Sequence, residues 1–155
     1  MGGIGRFFRH LGRRAVLRSA LNLEEEIHGL YESLKSELDG ERMPEELLRV
    51  LSEEREHKQL LLNILEGRVP EEEAELVLSG GRFHDLARIE PLDRGEYLPV
   101  WQKLQQIRQR EVEIRLFFRS ICGKTKLPSA RRVLCFLAEQ EDVHVRLLDR
   151  LLGDR

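Results

Sequence analysis

The sequence predicts an all-α fold: an antiparallel four-helix bundle made of two helix hairpins joined by one long crossover connection. Three observations carry that expectation. Apolar residues recur every three or four positions through four long stretches, the spacing of one helix face. Leu, Glu and Arg dominate a chain that is 41% hydrophobic, 35% charged and only 6% aromatic. Glycine and proline gather between the second and third stretches, whereas the first and last pairs are separated by short turns.

Helix 1 is expected over residues 14–38, with Leu17, Ala20, Ile27, Leu30, Leu34 and Leu38 on one face and Asp39–Gly40 closing it. Helix 2 is expected over 44–66, beginning at Pro44, a residue suited to a first turn, and ending before Gly67. Its stripe is Leu47, Val50, Leu51, Leu61, Ile64 and Leu65. Residues 67–97 form the crossover, broken by Pro70, Gly80–Gly81, Pro91 and Gly95, with a short helix expected over Glu71–Leu78. Helix 3 is expected over 98–122 on Val100, Leu104, Ile107, Ile114, Phe118 and Ile121. A turn from Gly123 to Pro128 leads to helix 4, over 129–152, on Val133, Leu134, Leu137, Ala138, Val145, Leu148, Leu151 and Leu152. Short connections make each pair an antiparallel hairpin, and the long one spans the bundle. This is the ferritin-like arrangement.

A length of 155 residues suits one domain, so 1–155 is read as a single unit. The net charge of −2 hides an asymmetry. Residues 1–22 hold five arginines and no acid, which leaves −7 on the remainder. No nucleic-acid partner is expected. The extension 1–13 includes the basic, amphipathic Gly5–Arg6–Phe7–Phe8–Arg9–His10–Leu11. It suits contact with an anionic membrane or acidic partner, but so short a segment is read first as an extension of helix 1 or a tail. No apolar run approaches the roughly 20 residues of a membrane span, and no continuous apolar stretch marks a secretory signal. Cys122 and Cys135 form no Cys-x-x-Cys pair, which excludes a four-cysteine metal module. They read as small core hydrophobes in a chain of the reducing cytoplasm.

The chemistry lies in two Glu-x-x-His motifs, Glu54–His57 and Glu141–His144. A Glu and a His three apart share one helix face and can reach one cation. Each motif follows 30 residues after another glutamate, Glu24 and Glu111 respectively, within a weak internal repeat at an offset of 87 residues. That repeat also relates Leu17 to Leu104, Ile27 to Ile114, Tyr31 to Phe118, Leu61 to Leu148 and Leu65 to Leu152. All four acids fall among leucines and isoleucines on the core faces. One unpaired buried carboxylate costs several kcal/mol. Four facing one another need strong compensation, which two cations supply, and a set of four carboxylates and two imidazoles suits iron or manganese. Pairing with Arg108 and Arg115 is the alternative, but it leaves two matched histidines unexplained. Glu25 and Glu113 project away from Glu24 and Glu111 toward solvent. His28 reads as a boundary residue or a hydrogen-bonding neighbour of Glu24, and His10 and His84 as surface residues.

These residues resemble the rubrerythrin-like branch of the ferritin-like di-iron carboxylate superfamily, over about residues 14–66 and 98–152. The matching elements are Glu24 to Tyr31, Glu54-x-x-His57 with Leu61, Glu111 to Phe118, and Glu141-x-x-His144. The resemblance implies that Glu54 and Glu141 bridge two iron ions, with manganese or zinc as alternatives. It implies that Glu24 and Glu111 are terminal carboxylates, that His57 and His144 each serve one metal, and that Tyr31 is a hydrogen-bond donor beside the ligands. Three departures stand out. Ile114 occupies a position where many relatives carry a further glutamate. Phe118 lacks a hydroxyl. No rubredoxin module is present, so a reductase cycle needs an external electron donor.

The implied activity is that of a di-iron oxidoreductase, reducing hydrogen peroxide or oxidising ferrous iron, in oxidative stress or iron handling. The alternative is an iron-binding or iron-delivery protein without turnover, and the least favoured reading is a metal-free interaction bundle. The implied partners are a small oxidant, hydrogen peroxide or dioxygen, and a second copy of the chain in a homodimer.

Overall fold

In the computed structural model the chain forms helices α1 (Arg13–Glu37), α2 (Glu45–Leu65), α3 (Leu98–Lys124) and α4 (Pro128–Leu151), and no strand occurs among the described residues. The structure describes residues 13–38, 43–68, 90–91, 98–124 and 128–153. The short helix expected over Glu71–Leu78, residues 1–12 of the basic segment, and His10 and His84 lie outside the described residues.

Local chemistry sets the helix ends. The Pro44 carbonyl accepts the Leu47 and Leu48 amides at 3.0 and 3.2 Å, and Glu45 and Glu46 place negative charge in the first turn of α2. At the far end Gly67 takes a φ of 72°, left-handed backbone that a side chain disfavours. This lets the Gly67 amide reach the Ile64 carbonyl at 3.1 Å and the Arg68 amide reach the Asn63 carbonyl at 2.9 Å, closing the helix. Arg14, near the start of α1, donates to the Leu65 carbonyl at the end of α2, 3.2 Å away, as an antiparallel hairpin requires.

Packing follows the apolar stripes. The hairpin partners α1–α2 and α3–α4 pack together, and α1 also meets α3 while α2 meets α4. This is a four-helix bundle of the ferritin-like kind. Leu17, Ile27, Leu34, Leu47, Leu61, Leu104, Ile114, Leu137 and Leu148 are all buried in one core. Ion pairs line the outer seams. Arg110 binds Glu26 across α1–α3, Arg55 binds Glu32 at 2.8 Å across α1–α2, and Arg115 and Arg119 both hold Asp142 at 3.1 Å across α3–α4. Exposed pairs of this sort contribute about 0–1 kcal/mol each. The core therefore dominates.

One expectation is overturned. Cys122 and Cys135 are not separate core hydrophobes; both are half-buried, and they form a disulfide between α3 and α4. Nothing in their spacing of 13 residues signals this; the packing of the end of α3 against the start of α4 brings the two side chains to one level of the hairpin. Disulfides persist mainly in oxidising compartments, so the pairing removes the support on which the cytoplasmic expectation rested. No described helix is long and apolar enough to cross a membrane.

Closing a loop of this size removes unfolded-state freedom worth about 3 kcal/mol. Urea unfolding with and without a thiol reductant is expected to differ by about that amount. Superimposable curves, with free thiols absent in the untreated sample, would contradict it.

Candidate metal centre

Each helix delivers acids to the same level of the core. Glu24 comes from α1, Glu54 and His57 from α2, Glu111 from α3, and Glu141 and His144 from α4. The four carboxylates and His144 have no exposed surface, and His57 is 3% exposed. The three-residue spacing within α2 and within α4 puts each Glu and His one turn apart on the inner face.

The six side chains converge as two overlapping groups. Glu24, Glu54, His57 and Glu141 form one, and Glu54, Glu111, Glu141 and His144 the other; within each, one atom per residue lies within 4.8 Å of the rest. Glu54 and Glu141 belong to both. Both imidazoles turn Nδ1 inward. His57 Nδ1 lies 3.8, 3.9 and 3.7 Å from Glu24, Glu54 and Glu141. His144 Nδ1 lies 2.7, 3.4 and 3.8 Å from Glu54, Glu141 and Glu111. The rings stack at 5.9 Å between centroids.

The chemistry of these atoms tests what the cluster is for. Both oxygens of Glu24, Glu54 and Glu141, one oxygen of Glu111, and Nδ1 of His57 are buried without a hydrogen-bond partner. Buried polar atoms are ordinarily satisfied, and a concentration of exceptions calls for a missing partner. Inward-facing lone pairs on hard oxygen and imidazole donors fit divalent or trivalent cations. Two overlapping groups with two shared carboxylates fit a pair of them.

Without cations the cluster must hold protons. Burial, and then the neighbouring Glu54 and Glu141, push Glu24 well above the ordinary carboxylate range. Burial, Glu141 and Glu54 do the same to Glu111. Burial also opposes charge on Glu141, but the adjacent Glu111, His144 and His57 outweigh it and hold that carboxyl well below its usual value. For His144 burial disfavours the cation, yet the Glu54 charge, the nearby Glu141 and the hydrogen bond to Glu53 hold it well above the usual imidazole value.

The surroundings sort the remaining candidates. The Tyr31 hydroxyl donates to Glu111 Oε1 at 2.9 Å, and burial followed by the Glu111 charge keeps it protonated. Arg108 binds Asp149 and Arg115 binds Asp142, so the arginines beside Glu111 have aspartate partners of their own. Glu25 is exposed, and Glu113 is exposed and bonded to Arg110. His28 is half-buried with Nε2 3.3 Å from Glu32, on the side of α1 that meets Arg55, and burial and then Lys58 lower its pKa. Sequence reasoning missed Glu53. It is 3% exposed, and its Oε2 lies 2.8 Å from His144 Nε2, on the side of the ring away from the cluster. The signal was its place four residues before His57, about 40° away around α2, on the edge of the inner face.

Bundle and site together define the ferritin-like class of carboxylate-rich helical proteins. The family model for Rubrerythrin matches residues 15–152, and the chain belongs to that family. Comparison with curated proteins and with solved structures gives no match.

Two outcomes follow from the cluster. Glu54→Gln with Glu141→Gln keeps the shape of the core but removes both shared carboxylates. The metal-free double variant is expected to be more stable than the parent by on the order of 1 kcal/mol, since like charge is relieved, and to retain no metal on elemental analysis. A double variant that still held two cations per chain would overturn the ligand set. The second outcome concerns pH. Glu24, Glu111 and His144 bind protons more tightly folded than unfolded. Their contribution is full at low pH and is lost as pH rises through their raised folded values. Glu141, with its lowered value, acts oppositely and only around and below the ordinary carboxylate range. The metal-free protein is therefore expected to lose unfolding free energy as pH rises above the ordinary carboxylate range and then above the ordinary imidazole value, which pH-dependent urea unfolding measures. Cation affinity should climb over the same range as bound protons become easier to displace.

Proposed function

We propose that this chain is a di-iron oxidoreductase of the rubrerythrin and ferritin type, reducing hydrogen peroxide or oxidising ferrous iron in oxidative stress or iron handling. The observation that carries this reading is the sharing of Glu54 and Glu141 between two ligand groups. Glu54 and Glu141 would be held in common by the two ions, Glu24 and Glu111 would each add a carboxylate to one of them, and His57 and His144 would each serve one ion. Iron is the metal the family favours; the same donors accept manganese or zinc. When bound, the iron pair supplies two electrons by moving between its ferrous and ferric states.

The protein's part is to hold charge, protons and water in place. Two shared carboxylates offset much of the positive charge at the centre and leave room for their oxygens to reorient. Ile27, Ile114, Leu61, Leu137 and Leu148, all without exposed surface, close the core against bulk water. Tyr31 keeps a hydroxyl proton at Glu111 Oε1, and Phe118, its counterpart in the repeat, has no hydroxyl to offer. The partners are a small oxidant, an external electron donor and a second copy of the chain in a homodimer.

A second reading is an iron-binding or iron-delivery protein without turnover. The fully buried Ile114 favours it, because an apolar side chain stands one turn beyond Glu111 where a further carboxylate ligand would assist repeated changes of oxidation state. The two readings separate in one measurement. Iron-loaded, reduced protein is mixed with excess hydrogen peroxide and an added reductant, and peroxide consumed per chain is counted. Many equivalents support the enzyme; a single stoichiometric oxidation supports the binding protein.

A further inference from the structure

The repeat at an offset of 87 residues makes the two halves of the centre comparable position by position, and outside the ligands they differ. Glu111 accepts a hydrogen bond from the Tyr31 hydroxyl at 2.9 Å. Glu24, its counterpart, has both oxygens buried without a partner, and the residue matching Tyr31 is Phe118. His144 carries a carboxylate on its outer nitrogen, Glu53 Oε2 at 2.8 Å from Nε2. The residue matching Glu53 is Gln140, an uncharged amide, and His57 sits on that side of the comparison. Both extra contacts fall on the same half.

Their effects on a ligand point the same way. A carboxylate accepting the Nε2 proton of an imidazole fixes the tautomer, so that Nδ1 presents its lone pair inward, and makes that nitrogen a better donor. A hydroxyl bonded to one oxygen of a terminal carboxylate holds the other in a single orientation, which lowers the ordering cost of binding. Glu53 is itself buried, so the contact is neither screened nor competed for by solvent.

We propose that the two metal positions are unequal: the Glu111–His144 half is the tight position, filled first, with Glu53 acting as its positioning residue through His144, and the Glu24–His57 half is the weak, exchangeable position. This rests on the two-cation reading above and goes beyond it by ranking the positions. The exchangeable half is then where a cation enters and leaves the loaded protein, so iron taken up or handed on passes through Glu24 and His57.

Cobalt(II) tests this without reference to activity, since its visible absorption and the heat of binding both report each step. Metal-free full-length protein titrated with cobalt(II) should show two steps, the first about ten- to a hundredfold tighter. Glu53→Gln should weaken the first step by about that factor and leave the second unchanged, merging the two, with the thermal midpoint of the metal-free protein preserved. If that variant does not fold, the ligand variants decide. His57→Ala should keep one tight cobalt, whereas His144→Ala should lose the tight step. Two equal steps in the parent protein, equal weakening of both by Glu53→Gln, or tight binding surviving in His144→Ala would each overturn the ranking while leaving the two-cation centre intact. No cobalt bound at all would overturn the centre and the ranking together.

Discussion

Charge buried at the middle of the bundle is the constraint on which the rest of this structure depends. Four carboxylates and two imidazoles occupy core positions where a plain bundle would place leucines, and most of the carboxylate oxygens have no hydrogen-bond partner. Such a cluster is tolerable only if the apolar packing around it is extensive and if protons or cations neutralise it. Both conditions shape the chain. The stripes of α1 to α4 run well beyond the cluster on either side, and the arginines that might have entered the core are engaged at its margin by Asp142, Asp149, Glu26 and Glu32. Keeping cations of the protein out of the centre leaves the acids available to cations from solution.

Near-symmetry is the means by which a short chain gathers two overlapping groups of acids and imidazoles. Two hairpins, each carrying a glutamate and then a Glu-x-x-His, face each other through the α1–α3 and α2–α4 contacts. One shared carboxylate from each hairpin then falls between the halves. The departures from symmetry, Tyr31 against Phe118 and Glu53 against Gln140, leave the six converging side chains themselves intact. Membership of the Rubrerythrin family agrees with this architecture, and the family-level expectation of iron agrees with the hard oxygen and imidazole donors. The disulfide adds a covalent tie at the closed end of the α3–α4 hairpin, where α3 ends and α4 begins.

Much of this was legible in the order of the residues. The fold class follows from period: Leu17 to Leu38, Leu47 to Leu65, Leu104 to Ile121 and Val133 to Leu152 each mark one helical face, and the lengths of the connections pair the helices. The candidate ligands follow from the same rule, because an acid in the middle of an apolar stripe must enter the core. Glu25 and Glu113 could be set aside by angle alone. Three things needed the folded chain. Whether Arg108 and Arg115 would reach Glu111 or turn outward depended on where Asp149 and Asp142 lie on α4. That Cys122 and Cys135 meet depended on how α3 and α4 pack against each other. That Glu53 meets His144, 91 residues away, depended on the rotation and height of α2 against α4. Helical period is a local property written in residue numbers, so it reveals which side chains go inward. Contacts between helices are set by relative rotation, height and side-chain reach, and those exist only once the helices have packed.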